Sequence, residues 1–124
     1  MNNSKQLLPA DLQKRINVDL ESALAARKEG NEGKVRVSAR RAVGWAIQAY
    51  YLKIGIALPS KSALAHIQYM IEDEDIEGKT AKALPHFVQR LEKDSLEGDS
   101  YWPLNIDLIE KAQQIIAQLS EKNH

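Results

Sequence analysis

Four basic residues stand close together in the first third of the chain: Lys34, Arg36, Arg40 and Arg41. Arg36 and Arg40 are four residues apart, so in a helix their guanidinium groups lie on one face. Because a pair of guanidinium groups can hold the oxygens of one phosphate, this spacing predicts a phosphate-binding surface. The alternative is structural: the same cations form ion pairs with acidic residues of the preceding helix, such as Glu21 or Glu29.

No residue is predicted to be catalytic. His66 and His86 have no carboxylate at a metal-ligand spacing, and no serine stands in a G-x-S-x-G turn. The chain also lacks the glycine-rich sequences that cradle the phosphates of nucleotides. The acidic run Asp73–Gly78 begins like a calcium loop, but Leu84 stands where that loop needs a bidentate acid. We therefore predict no metal site and no cofactor.

The composition sets limits on partners and location. Basic and acidic residues balance at 17 each among 124 residues, so binding of nucleic acid requires a local basic surface. Cysteine is absent, which excludes disulfides and thiolate metal sites. The longest apolar stretch, 42–58, is short for a membrane span, and the first ten residues do not resemble a signal peptide. We predict one helical domain over 1–124, with flexible ends at 1–8 and 121–124, in the cytoplasm and without membrane contact.

Apolar residues recur at helical spacing along most of the chain, and strand patterns are nearly absent. This pattern predicts an all-α fold, an up-and-down bundle of four to five helices. The first helix is predicted over Pro9–Glu29, ended by Gly30, and the second over Lys34–Ile54. The second helix is apolar on several sides, which predicts a central position and a homodimer that covers the remaining surface. Gly44 in its middle predicts close approach of another helix.

Shorter helices are predicted in the second half of the chain. Ser60 or Ser62 is expected to cap the third helix, which places His66 as a half-buried or surface residue. The fourth helix is expected to start near Thr80. Pro85 then either kinks it or marks its true start.

The loop Tyr101–Pro103 precedes the last helix, whose first turn we expect Asn105 or Asp107 to cap. Pro103 biases the backbone of Trp102 toward extended conformations. We predict that Trp102 packs against the bundle and sets the angle of the last helix. The alternative is that Trp102 stacks on a base.

Two segments together resemble a known family. They are "ARRAVGWAIQAYYLKIGIALPSKSALAHIQYM", a long helix with small residues leading to a glycine and a proline turn, and "YWPLNIDLIEKAQQIIAQL". The pattern is similar to the HEPN domain and covers about 12–119. The resemblance implies a helical bundle that is frequently a homodimer and is linked to nucleotides or RNA. Many members sit beside a minimal nucleotidyltransferase in toxin–antitoxin pairs.

The RNase members of that family carry an arginine, four to six residues, and then a histidine. Here Lys61 precedes His66 and Lys79 precedes His86 at that spacing, and lysine lacks the planar fork of arginine. We therefore expect a protein that is not an enzyme, a HEPN-like module that binds a protein partner, a nucleotide or RNA. The alternatives are a metal-independent RNase with a degenerate site and a purely structural helical adaptor.

Overall fold

The computed structural model describes residues 9–58, 62–88 and 107–121, and these residues contain helices but no strand. Five α-helices and one 3-10 turn follow in chain order: α1, Pro9–Lys28; α2, Glu32–Lys53; α3, Ala63–Ile71; α4, Gly78–Ala83; the 3-10 turn Leu84–Phe87; and α5, Leu108–Glu121. The predicted all-α class is confirmed. No described helix has both the length and the apolar composition that a bilayer crossing requires.

Helices α1 and α2 form an antiparallel hairpin. Gly30, with φ at 76°, ends α1, and the Asn31 side chain accepts the Lys34 backbone N–H at the start of α2. Ser22 hydrogen-bonds Ser38 further along the hairpin, and Asp19 contacts residues beyond position 40. Since lower numbers on α1 pair with higher numbers on α2, the two helices run in opposite directions.

Helix α2 lies at the centre of the fold. It packs against α1, α3 and α5, and its fully buried side chains include Val43, Ile47 and Tyr51. The predicted central position is confirmed. These three neighbours belong to the same chain and cover most of the apolar side chains of α2, although Val37 remains 47% exposed. The homodimer stays a prediction.

Helix α3 begins beside Gly44 and ends beside Tyr51. The Ser62 side chain accepts the Ala65 N–H and caps the helix, as predicted for one of two serines. Ala63 contacts Gly44, and the rings of Tyr69 and Tyr51 meet edge to face at 5.1 Å. Thus α3 advances along α2 in the same sense. The alternation of direction that an up-and-down bundle requires is not met between these two helices.

His66 is buried, which corrects the expectation of a half-buried or surface residue. Only 2% of the residue is exposed, and its Nδ1 lies 3.2 Å from the carbonyl oxygen of Gly44. The close approach of α3 to α2 at Gly44 explains the burial, because a glycine lets the backbones come near enough to enclose the ring.

Pro85 determines how helix α4 ends. Helix α4 starts at Gly78, slightly before the expected start, and gives way at Leu84 to the 3-10 turn. Pro85 stands in the first positions of that turn, where its missing N–H costs no helical hydrogen bond. Leu84 and Phe87 are fully buried on either side of it.

Helix α5 is capped and docked through Asp107. Its carboxylate accepts the backbone N–H groups of Ile109 and Glu110 at 3.1 Å, which confirms one of the two predicted caps. The same carboxylate forms an ion pair with Arg27 at the end of α1, also at 3.1 Å. The predicted docking of Trp102 lies outside the described residues.

Candidate functional site

An open cleft of about 490 Å³ lies between α1 and α2. Its walls combine three cations, two carboxylates, one aliphatic side chain and an indole: Lys14, Arg15 and Arg41; Asp11 and Asp19; Val18; and Trp45. The lining therefore has one more positive than negative charge. A concave surface with an aromatic side chain and a few polar groups is typical of a site for a small ligand.

Asp19 organises the cleft. Its side chain is only 10% exposed, and its two oxygens contact two residues of α2. The indole Nε1 of Trp45 donates to Oδ2 at 2.9 Å, and Nε of Arg41 lies 3.7 Å from Oδ1. A buried carboxylate needs such partners to offset the loss of hydration. Asp19 therefore fixes the orientation of the Trp45 indole and lies close to Nε of Arg41.

Arg15 covers the ring of Trp45. Its guanidinium carbon lies 4.9 Å from the ring centroid, which is a cation–π distance. Arg15 is an exposed residue of α1. Exposed cation–π contacts are weak, at about 0.5–1 kcal/mol, so this contact can be exchanged for another without large cost.

A smaller cavity of about 90 Å³ shares Arg41 and Trp45 with the cleft. Its other walls are Gly44, Ala63 and His66, so it forms where α3 meets α2. With its proton on Nδ1, the His66 ring donates to the Gly44 carbonyl oxygen. The cavity is lined by both a histidine and an arginine that are far apart in the sequence.

The structure separates the four basic residues that the sequence grouped together. Lys34 is exposed in the first turn of α2, and Arg36 is half-buried. Arg40 turns toward the 3-10 turn, where its Nε donates to the carbonyl oxygen of Phe87 at 2.9 Å. Arg41 turns toward α1 and is the one member of the group that lines the cleft. Phosphate binding by this group stays a prediction.

The alternative role of these cations, ion pairing with acidic residues of the first helix, is observed for Arg41. Arg41 does pair with an acidic residue of α1, but that residue is Asp19 rather than Glu21 or Glu29. Asp19 lies two residues before Glu21 and ten before Glu29; the antiparallel register of α1 and α2 determines which acid meets Arg41.

Six residues of the cleft were not identified as site residues from the sequence: Asp11, Lys14, Arg15, Val18, Asp19 and Trp45. A signal was available on α1, because the residues at 11, 14, 15 and 18 have the spacing of one helical face. Nothing comparable marked α2, where Trp45 follows a glycine inside an apolar run.

The acidic run after α3 has a structural role. Asp73 accepts a hydrogen bond from the hydroxyl of Tyr51 at 2.5 Å and another from the backbone N–H of Asp75 at 2.9 Å. Burial, and then the bond to Asp73, raise the pKa of the Tyr51 hydroxyl above its ordinary value. Within 9–58, 62–88 and 107–121, no three histidine, aspartate or glutamate side chains are grouped so that they could hold a metal ion.

Fold and site together define an all-α domain with a charged, indole-lined cleft in its first helical hairpin. No protein-family model, no curated protein and no solved structure matches this chain.

Proposed function

We propose that this chain is a non-catalytic HEPN-like helical domain that binds a nucleotide or RNA in the α1–α2 cleft. One observation carries the proposal: Lys14, Arg15 and Arg41 converge around Trp45 in a single open cleft. Nucleotides and RNA combine a negative phosphate with a flat base, so cations beside an aromatic ring match both parts. The family resemblance supports the same class of ligand.

Arg41 is the residue best placed for phosphate. Its side chain is 58% exposed, and its contact with Asp19 is made by Nε. A guanidinium has five N–H donors, so the contact through Nε does not use the four donors of Nη1 and Nη2. Lys14 is exposed on the facing helix and supplies a second positive charge. The negative charge of a phosphate between them is favourable to both.

The cleft shifts the proposed site from the face of Arg36 and Arg40 to the opposite side of α2. Arg40 holds the Phe87 carbonyl, which gives it a structural task in joining α2 to the 3-10 turn. A protein partner of the nucleotidyltransferase type and a toxin–antitoxin setting remain part of the proposal through the resemblance alone. They concern surfaces other than the cleft.

The test is binding of a fluorescently labelled single-stranded RNA, measured by anisotropy. We expect the Lys14→Ala, Arg41→Ala double variant to bind about a hundredfold more weakly or worse, since each of the two charged hydrogen bonds contributes about 1.5–3 kcal/mol. Lys34→Ala is the matched control, because it removes an exposed cation of α2 that does not line the cleft. Circular dichroism checks that each variant keeps its helix content.

A second double variant, Arg36→Ala with Arg40→Ala, decides between the two faces. If it loses RNA affinity while the cleft variant binds like the parent, the site lies on the face that the sequence first suggested. If neither double variant changes the affinity, neither the cleft nor the face of Arg36 and Arg40 forms the RNA site.

The RNase alternative has one observation in its favour, since His66 and Arg41 line the same small cavity. Against it, His66 is 2% exposed and its ring is bonded to the Gly44 carbonyl oxygen. An acid or base in RNA cleavage has to reach the reacting oxygens of the substrate. An RNA-degradation assay with His66→Ala and His86→Ala tests this alternative: cleavage by the parent that either variant abolishes establishes an enzyme.

A further inference from the structure

We infer that Trp45 is a stacking platform for one unpaired base, so that the ligand is a single-stranded nucleotide unit and not a duplex. This inference rests on the proposed function and names its substrate class. It requires that a base can lie against the indole, that the indole is held in place, and that the phosphate of the same unit meets a cation.

The indole is held in place before any ligand arrives. Its Nε1 is bonded to the nearly buried Asp19 at 2.9 Å, which fixes the plane of the ring relative to α1. Trp45 also lines the cavity against Ala63, so α3 contributes to the wall beside it. A ring fixed in this way loses little freedom when a ligand stacks on it.

The Arg15 guanidinium, which covers the Trp45 ring, can be displaced by a ligand. Arg15 lies 4.9 Å from the ring centroid and belongs to an exposed part of α1. An exposed cation–π contact is weaker than stacking between a base and an aromatic ring. A base therefore displaces Arg15 from the ring. The guanidinium then covers the second face of the base or pairs with its phosphate.

The size and charge of the cleft select the kind of nucleotide. About 490 Å³ is within the range of small-ligand sites and is far too small to enclose an RNA helix. Bases in a duplex are stacked inside the helix, so they cannot offer a face to Trp45. The carboxylate of Asp11 lines the cleft beside Lys14 and opposes the build-up of negative charge. The cleft therefore favours a unit with one phosphate per base over a triphosphate.

Fluorescence of Trp45 reports stacking directly. The chain has two tryptophans, so Trp102→Phe leaves Trp45 as the single indole. In this variant we expect a single-stranded RNA of about eight nucleotides to quench the indole emission on binding. An abasic strand of the same length keeps the phosphates but has no bases; we expect it to bind at least about fivefold more weakly and to leave the emission unchanged. A duplex of the same sequence should give no quenching.

The outcomes separate this inference from the proposed function. If the abasic strand binds as tightly as the RNA and neither quenches Trp45, stacking is refuted while phosphate binding in the cleft stands. If no strand binds, both are refuted. Nucleoside monophosphate and triphosphate are compared in the same assay, and tighter binding of the triphosphate overturns the charge selection described above.

Two substitutions at the platform complete the test. Trp45→Phe keeps an aromatic face, and we expect it to retain most of the difference in affinity between RNA and the abasic strand. Trp45→Leu removes the face, and we expect that difference to disappear. Because the difference is taken between two ligands of one folded variant, a change in stability does not imitate the result. An unchanged difference in Trp45→Leu refutes the platform.

Discussion

Gly44 of α2 lies directly against Ala63, the first residue of α3. A Cβ built on Gly44 would stand 2.6 Å from the Cβ of Ala63 and 2.8 Å from its Cα. Real Cβ atoms do not approach backbone atoms so closely, so any side chain at position 44 requires α3 to move. The same contact encloses His66 and forms the floor of the cavity beside Trp45.

Gly44→Ala should therefore destabilise the fold. Forcing a methyl group into a closed contact costs about 1–3 kcal/mol, against a gain of about 1 kcal/mol from the helix propensity of alanine. Urea unfolding measures the difference. Gly33→Ala is the matched control in the same helix, because the nearest atom to its added Cβ is 3.9 Å away. If the Gly44 and Gly33 variants are equally stable, the contact with Ala63 is looser than described.

Asp107 should contribute to stability through two separable interactions. Asp107→Ala removes the cap of α5 and the ion pair with Arg27, and we expect a loss of about 1–2 kcal/mol, mostly from the cap. Asparagine also caps helices but carries no charge. Asp107→Asn should therefore cost only the exposed ion pair, at most about 1 kcal/mol. Equal losses in the two variants would show that the charge, and not the cap, stabilises α5.

The bond between Tyr51 and Asp73 should make stability fall at alkaline pH. Burial first, and then this hydrogen bond, raise the pKa of the Tyr51 hydroxyl in the folded chain. In the unfolded chain the hydroxyl ionises near pH 10. Below that pH the contribution of Tyr51 is complete. Above it the unfolded state gains from losing a proton that the folded state keeps, so stability declines.

Tyr51→Phe isolates this effect. The variant should be less stable than the parent by about 1–3 kcal/mol at pH 8, since a bond to a charged acceptor is lost. Above pH 10 the difference in the free energy of unfolding between parent and variant should decrease by up to about 1.4 kcal/mol per pH unit. Urea unfolding at pH 8, 10 and 11 provides the measurement. Tyr69→Phe, at a ring 43% exposed, is the control. If the difference between parent and Tyr51→Phe stays constant from pH 8 to 11, the Tyr51 hydroxyl does not cause the loss of stability at alkaline pH.

RNA binding in the cleft should depend on salt according to its cations. For single strands, each neutralised phosphate contributes about −0.7 to the slope of log K against log salt concentration, so three cations give about −2. Arg41→Ala should reduce the slope to about −1.4. Titrations between low and moderate salt measure both slopes. An unchanged slope in Arg41→Ala would mean that Arg41 makes no phosphate contact.

One apolar surface available to the predicted homodimer lies on α3. Leu64 and Ile71 stand seven residues apart, on one side of the helix, and are 36% and 40% exposed. If the dimer forms, we expect the double variant Leu64→Glu, Ile71→Glu to be monomeric by light scattering at high micromolar concentration, because charges are costly in a buried interface. A parent chain that is monomeric at that concentration removes the dimer.

The helix ends were predictable, and the cleft was not, for a common physical reason. Gly30 and Asp107 act on backbone groups within four residues of themselves, so local sequence carries the information. The cleft depends on which residues of α2 face α1, and that register arises from the packing of the whole hairpin. Arg41 was grouped with the wrong neighbours, and Trp45 was interpreted as part of the apolar surface of the second helix, not as a site residue.

The burial of His66 was predicted wrongly for the same reason. The expectation rested on the neighbouring residues Leu64 and Ile67, which do not tell which side of α3 meets α2. The decisive fact is the absence of a side chain at Gly44, which lets α3 sit on α2 and cover the ring. Sequence reasoning predicted that close approach, but it could not name the helix that approaches.

Every residue that lines the cleft lies between Asp11 and Trp45, within one helical hairpin. Contacts inside such a short segment close small loops, so they cost little chain entropy and form early in folding. On the ribosome, we expect the cleft to be assembled while the second half of the domain is still being synthesised. The cavity beside His66 has to wait for α3. The cleft and the adjoining cavity therefore form at different stages of synthesis.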